Sequence, residues 1–97
     1  MGGIGEFKKI ISQHKKELEN RFNVEKIGLF GSYIRGEEDE ESDLDILVEF
    51  KEPISLFEFM DLEEYLGKIL KIKVDVVSKK GLNPYIGERI LNEVVYI

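Results

Sequence analysis

The residues best suited to chemistry in this chain are three aspartates on two predicted strands. Asp43 and Asp45 are one residue apart in an alternating segment, so their carboxylates leave the same face, with Cα atoms ~6–7 Å apart. Like charges at this spacing repel each other unless a cation lies between them, and Mg²⁺ prefers carboxylate and phosphate oxygens. The pair predicts a magnesium site, unless Asp43 only caps the preceding loop and Asp45 only faces solvent.

Asp75 interrupts an otherwise apolar run from Val74 to Val77 in the next predicted strand. A carboxylate is costly there unless it is paired, hydrated or bound to a metal. If its strand neighbours that of Asp45, at the usual spacing of ~4.8 Å, Asp75 completes a cluster of three carboxylates. Lys73 supports the alternative, a local ion pair with Asp75.

A Gly31-Ser32 turn stands between a predicted strand and a short helical segment. Free backbone amides at this turn, with no Cβ at Gly31, would let a phosphate approach the backbone closely. The alternative is an ordinary turn in which Ser32 caps the segment that follows. By itself the pair does not decide between the two interpretations.

Carboxylates beside a phosphate site fit phosphoryl or nucleotidyl transfer. There, two metal ions ~3.5–4 Å apart can activate the attacking oxygen and stabilise the leaving one. We expect Asp43 and Asp45 to ligate metal that bridges to a triphosphate. We expect Asp75 to hold the second metal and to act as, or orient, the base for the attacking hydroxyl.

The elements that must position these residues follow from hydrophobic periodicity. They are helices at residues 4–22, 56–70 and 84–91 and strands at residues 26–30, 43–50 and 72–78. Ser55 and Glu58 have the spacing of a capping box, and Asn83-Pro84 opens the last helix. The tail, 94–97, is expected to add an edge strand or to dock on a partner. This order indicates an α/β or α+β domain with one small sheet.

Length and composition restrict the possible functions. The 97 residues predict a single domain, 1–97, which is marginally stable by size and therefore favours a homo-oligomer or hetero-oligomer. The absence of cysteine excludes thiolate metal sites and fits a cytoplasmic location. No apolar run approaches the ~20 residues of a membrane span. A net charge of −6 argues against broad binding of nucleic-acid backbone.

Gly31-Ser32 followed, after ten residues, by Asp43-Leu44-Asp45 resembles the Gly-Ser-x10-Asp-x-Asp signature of the DNA polymerase β-like nucleotidyltransferase superfamily. The flanking sequence is similar to the minimal nucleotidyltransferase (MNT) branch, and Asp75 matches the third carboxylate of that branch. The resemblance covers about residues 25–97. It implies a small mixed sheet flanked by helices, with Mg²⁺ as cofactor and a nucleoside triphosphate, most simply ATP, as substrate.

The resemblance also implies binding roles and a partner. Ser32 and the neighbouring amides, including that of Gly31, would contact the phosphates, and Arg35 would be an anion contact or a structural pair for the acidic loop at residues 37–41. Many MNT proteins resemble the antitoxin of a gene pair whose toxin is a HEPN-family ribonuclease, and some transfer AMP to a tyrosine of that toxin. We therefore expect a protein adenylyltransferase whose acceptor is its partner.

The alternative is a binding module that keeps the fold and silences a HEPN toxin by contact alone. Small size favours it, as do four apolar residues that are expected to be exposed and could form an interface. They are Tyr85, Ile86, Tyr96 and Ile97. Aspartate substitutions that leave neutralisation intact would favour this alternative.

Overall fold

A single mixed sheet organises the protein in this computed structural model, which describes residues 3–97. The strands are β1 (Val24–Phe30), β2 (Leu44–Phe50), β3 (Val74–Ser78) and β4 (Val95–Tyr96). Their spatial order is β3-β2-β1-β4, with β1 antiparallel to both β2 and β4 and with β2 parallel to β3. The expected α/β (α+β) fold, a small mixed sheet flanked by helices, is confirmed.

Helices join and cover the strands. They are α1 (Ile4–Gln13), α2 (Lys15–Phe22), α3 (Ser32–Arg35), α4 (Leu56–Leu70) and α5 (Pro84–Glu93), with a short 3-10 turn at Lys79–Gly81. Both predicted caps form. The Ser55 hydroxyl and the Glu58 carboxylate accept from each other's backbone amides, and Asn83 Oδ1 accepts from the amides of Tyr85 and Ile86.

The expectation of one helix over residues 4–22 is wrong, because the chain breaks at His14, where φ is −108° and ψ is 8°. The His14 amide donates to the Ile11 carbonyl rather than to that of Ile10. His14 Nδ1 lies 2.8 Å from the freed Ile10 carbonyl oxygen and takes the place of the missing amide. The side chain thus satisfies the backbone group that the break leaves open.

Alternation along β2 separates two packed faces. Leu44, Ile46 and Val48 lie in the main core with α1, α2 and α4. Leu47 points the other way and packs in a smaller cluster with Phe30 and with Ile90 of α5. Odd-numbered residues of β2 therefore face α5, which determines where the strand's polar side chains emerge.

The buried face of α4 does not include the apolar residues at the start of the helix. Its buried residues are Leu62, Leu66 and Leu70, spaced four apart, whereas Leu56 and Met60 are 71% and 56% exposed. Extending the buried spacing toward the helix start leads to Glu58 rather than to Leu56 or Met60, so the first turn of α4 presents apolar side chains to solvent.

The C-terminal tail forms the edge strand β4, the first of its two predicted alternatives. Tyr85, Ile86 and Tyr96 are exposed as expected. Ile97 is not: it packs against the main core, and its amide donates to the Ile27 carbonyl at 2.9 Å. Its place in the predicted contact surface is therefore wrong. No helix within residues 3–97 is both long and apolar enough to cross a membrane.

Gly28 of β1 leaves no room for a side chain beneath β4. A Cβ there would lie 2.7 Å from Val94 Cγ2 and 3.0 Å from the Val95 carbonyl oxygen. We expect Gly28→Ala to push β4 away and to lower the free energy of unfolding, measured by urea titration, by ~1–3 kcal/mol. Gly81→Ala is the matched control, because a Cβ at that glycine meets nothing within 4 Å. Equal urea midpoints for the two variants would contradict this packing.

Candidate active site

The pairing of β2 with β3 brings Asp45 and Asp75 together. The two occupy directly opposed positions on these parallel strands, so their side chains project to the same face as neighbours. Asp43 stands two residues before Asp45, just ahead of β2, and its charge also acts on Asp45. The three predicted aspartates thus lie at one end of the sheet, on the face that α5 covers in part.

This arrangement of carboxylates disfavours ionisation of Asp45. Burial raises the pKa of Asp45 to about 6, and the negative charges of Asp75 and Asp43 act in the same direction. Arg35 opposes this rise. Asp43 is half-buried and Asp75 is exposed. Ionised Asp45 is therefore held in unfavourable surroundings that a nearby cation would relieve.

Lys73 does not neutralise this cluster. In the part of the chain that the structure describes, its ammonium forms no ion pair with Asp75, and its backbone carbonyl accepts from the Leu44 amide at 3.0 Å. The alternative of a local Lys73–Asp75 pair is wrong. Lys73 helps instead to align the starts of β2 and β3.

Gly31 lies directly beside Asp45. It follows Phe30, which pairs with Asp45 across β1 and β2, and its φ of +83° lies in the region that favours glycine. A Cβ at Gly31 would collide with Asp45 Oδ2. Gly31, rather than Ser32, is the N-cap of α3 and provides no side-chain cap, which corrects the capping alternative for Ser32. Ser32 is the first residue of α3 and is half-buried.

Glu93, at the end of α5, is a site residue that the sequence reasoning missed. The Gly31 amide donates to Glu93 Oε2 at 2.6 Å. Arg35 Nη1 donates to both carboxylate oxygens of Glu93 at 3.0 Å, and Arg35 Nε donates to Glu37 Oε1 at 2.8 Å. Arg35 thus joins the acidic loop to α5, which is the structural pairing proposed for it.

These contacts set the charge states of the ion pair. Hydrogen bonds to Glu37 and Glu93 raise the pKa of Arg35. Burial favours a higher pKa for Glu93, but the Gly31 amide and Arg35 outweigh burial and hold that pKa below its ordinary value. Glu93 therefore stays ionised beside Asp45.

The sequence does hold a signal for Glu93. It lies three residues after Ile90 and seven after Ile86, and is therefore on the same side of α5.

A cavity of about 240 Å³ opens along this side of α5. It is lined by Phe30, Gly31, Arg35, Asp45, Ile86, Arg89, Ile90 and Glu93. A cleft of about 640 Å³ at the opposite ends of β2 and β3 is larger but is lined by none of the three aspartates, whereas Asp45 lines the smaller cavity, so chemistry favours the smaller one.

The carboxylates are compatible with Mg²⁺ without forming a complete cage. Within residues 3–97, no three His, Cys, Asp or Glu side chains are arranged so that they could hold a metal ion by themselves. Mg²⁺ is usually bound through one or two protein carboxylates together with water and substrate phosphates. The opposed, mutually repelling Asp45 and Asp75 are such a pair. The residues therefore fit an ion that arrives with a nucleotide.

Asp45→Asn should stabilise the ligand-free protein in a pH-dependent manner. The pKa of Asp45 is about 6 in the folded chain against an ordinary 3.8, so folding favours the protonated form, and stability is lost as pH rises through this interval. We expect Asn to raise the free energy of unfolding by roughly 1–2 kcal/mol at pH 8 and to have little effect at pH 3.5.

Urea unfolding in EDTA at both pH values measures this difference. Asp61→Asn, an exposed position on α4, is the control and should behave alike at the two pH values. An equal gain from Asp45→Asn at both pH values would show that charge repulsion is not its cause.

The chain is similar to known enzymes. Residues 11–97 match the nucleotidyltransferase domain family. The chain is 52% identical over 94 residues to the protein adenylyltransferase MntA of Thermococcus cleftensis, with 97% of this chain and 95% of the relative covered.

Solved structures with the same fold agree with these sequence matches. One assigned as a minimal nucleotidyltransferase superposes with a TM-score of 0.74 at 34% identity, over 92% of this chain and 93% of the other. A chain from the complex of tri-AMPylated Shewanella oneidensis HEPN toxin with MNT antitoxin superposes with a TM-score of 0.69 at 20% identity, over 93% of this chain and 70% of that one. At 20% identity the second likeness shows the fold alone.

Proposed function

Since the chain belongs to the nucleotidyltransferase domain family, we propose that it transfers AMP from ATP to a hydroxyl of a partner protein, a HEPN-family toxin for which it is the antitoxin. The observation that carries the chemistry is the direct opposition of Asp45 and Asp75 beside Gly31 and Arg35. The protein adenylyltransferase at 52% identity supports the acceptor class, and the AMPylated HEPN complex of the same fold supports the partner.

In this proposal the aspartates hold the metal and the turn holds the phosphates. Asp43, Asp45 and Asp75 would ligate Mg²⁺, which supplies charge neutralisation at the triphosphate and activation of the attacking oxygen. Gly31, Ser32 and Arg35 would bind the phosphates through backbone amides, a hydroxyl and a guanidinium.

The transfer step needs a proton acceptor that the substrate can reach. The acceptor oxygen bonds to the α-phosphorus, the bond from that phosphorus to the oxygen bridging to the β-phosphate breaks, and pyrophosphate leaves. Asp75 is exposed on the edge strand β3, so a hydroxyl of another protein can approach it. We assign to Asp75 the acceptance, or the orientation, of the hydroxyl proton.

A docking surface for the acceptor lies beside the cavity. Ile86 lines the cavity and is 54% exposed, and its neighbour Tyr85 is 85% exposed. Exposed apolar side chains at the border of a catalytic cleft are suited to contact with a protein surface. We assign the partner contact to this start of α5.

Loss of the carboxylates should abolish transfer. With a HEPN-family protein from the same genome, ATP labelled at the α-phosphate and Mg²⁺, we expect label on the partner. Asp43→Asn, Asp45→Asn and Asp75→Asn should each reduce the labelling rate on the order of 100-fold or more. Asp61→Asn on α4 should label at the wild-type rate. Undiminished labelling by Asp45→Asn would sink the proposal.

The same experiment tests the contact-only antitoxin, which the exposed Tyr85 and Ile86 favour. If no label transfers and the aspartate variants still silence the toxin, contact alone accounts for the antitoxin role. A Tyr85→Ala, Ile86→Ala double variant that loses partner binding while keeping its melting temperature would support this surface under either function.

Nucleotide with Mg²⁺ should stabilise the folded chain. At ten times the dissociation constant, binding to the folded state raises the melting temperature of a domain of this size by ~5–10 °C. We expect this rise for the wild-type chain and for Asp61→Asn, and little or none for an Asp45→Asn, Asp75→Asn double variant. Equal shifts in all three, or a shift that persists in EDTA, would contradict metal ligation by these aspartates.

Three further parts of the proposal rest on the sequence. Residues 1–97 form one domain, the chain acts in the cytoplasm, and it does not bind nucleic-acid backbone broadly. Association with the partner or with further copies of the chain supplements the modest core of such a small domain.

A further inference from the structure

Two groups expected to bind the triphosphate already hold an anion in this structure. The Gly31 amide donates to Glu93 Oε2 at 2.6 Å, and Arg35 Nη1 donates to both oxygens of the same carboxylate at 3.0 Å. The anion comes from the chain itself, across 62 positions of sequence. A carboxylate and a phosphate present similar oxygens to such donors.

The Gly31 amide cannot serve both anions at once. A backbone amide has a single N–H, and the short contact to an ionised carboxylate is of the strong, charge-assisted kind. Gly31 is buried, and 26% of the Glu93 side chain is exposed, so the contact is partly shielded from water. A phosphate oxygen that takes the Gly31 amide must first displace Glu93.

We propose that Glu93 competes with the triphosphate for Gly31 and Arg35, and so sets the nucleotide affinity of this chain. The proposal rests on the proposed function, because it requires the triphosphate to use these two donors. Glu93 is then neither a metal ligand nor a base. It is an internal competitor that leaves its donors when the nucleotide enters.

The location of Glu93 allows this exchange. It is the last residue of α5 and precedes the two-residue strand β4, which pairs Tyr96 with Gly28 and Val95 with Leu29 of β1. Glu93 lines the 240 Å³ cavity, which gives the side chain space to turn. Rotation about the side-chain bonds is sufficient to free Gly31 and Arg35 without unfolding α5.

Binding measurements on the chain without a partner test the competition. The probes are ATP with Mg²⁺ and inorganic tripolyphosphate with Mg²⁺, measured by calorimetry. We expect Glu93→Gln and Glu93→Ala to lower the dissociation constants of both probes about tenfold, because the competing charge is gone. The gain should appear with tripolyphosphate because the competition concerns phosphates and not the base.

Glu37→Gln is the matched control. Glu37 is also an acidic partner of Arg35, at 2.8 Å, but it is exposed and its contact with Arg35 does not involve Gly31. Its substitution removes the same charge beside the same guanidinium while leaving Glu93 in place. We expect dissociation constants within about twofold of wild type, since general charge removal alone has a small effect at an exposed site.

The outcomes separate the two proposals. If the wild-type chain binds ATP and Glu93→Gln binds it equally or more weakly, the competition is overturned while the proposed function stands; weaker binding would make Glu93 a clamp that positions Gly31 and Arg35. An equal gain from Glu37→Gln would also overturn it. If neither the wild-type chain nor Glu93→Gln binds either probe, both proposals fail.

A measurement on the wild-type chain covers the case in which the variants do not fold. With ¹⁵N and ¹³C labelling, the Gly31 amide and Glu93 side-chain carboxyl resonances should shift together as tripolyphosphate is added, because the same event frees both. A Gly31 resonance that shifts while the Glu93 carboxyl stays unchanged would overturn the competition.

Discussion

The parallel pairing of β2 with β3 is the constraint on which both the fold and the site depend. A parallel pair needs a crossover, and α4 supplies it by packing Leu62, Leu66 and Leu70 onto the main core. The register is maintained by Val74 and Val76, which face that core. A slip of one residue would turn these valines to the opposite face and remove Asp75 from Asp45. Hydrophobic packing on one face thus determines the electrostatics on the other.

In the absence of a ligand, the charges around Asp45 destabilise the folded protein. Burial and the acidic neighbours raise the pKa of Asp45 to about 6, and the adjacent Glu93 adds a further negative charge. The opposing cation, Arg35, is shared with Glu37 and Glu93. Such an arrangement favours ligands that bring positive charge to the aspartates and negative charge to Arg35, as a metal–triphosphate complex does.

Local chemistry made part of the structure predictable. The caps of α4 and α5 depend on residues within three positions, and the alternation of β2 is visible in the sequence, so the sequence predicts both. The break at His14, the exposed Leu56 and the half-buried Ile97 depend on how distant elements pack. Periodicity within one segment does not contain that information.

The same distinction between local sequence signals and contacts of distant segments applies to the site. Asp43 and Asp45 are identified by their spacing, and Asp75 as a polar residue in an apolar strand, whereas the contact of Glu93 with Gly31 joins chain segments 62 positions apart.

The packing of Gly31 also bears on how this sequence could evolve. Its side-chain position is taken by the Asp45 carboxylate, so the aspartate is one of the reasons why this position requires glycine. In a lineage that abandoned the chemistry and lost Asp45, position 31 would keep its backbone requirement but lose its steric one. Because φ +83° with ψ −156° is a combination that essentially only glycine adopts, glycine would persist there even after Asp45 was lost, so Gly31 by itself does not mark an active enzyme.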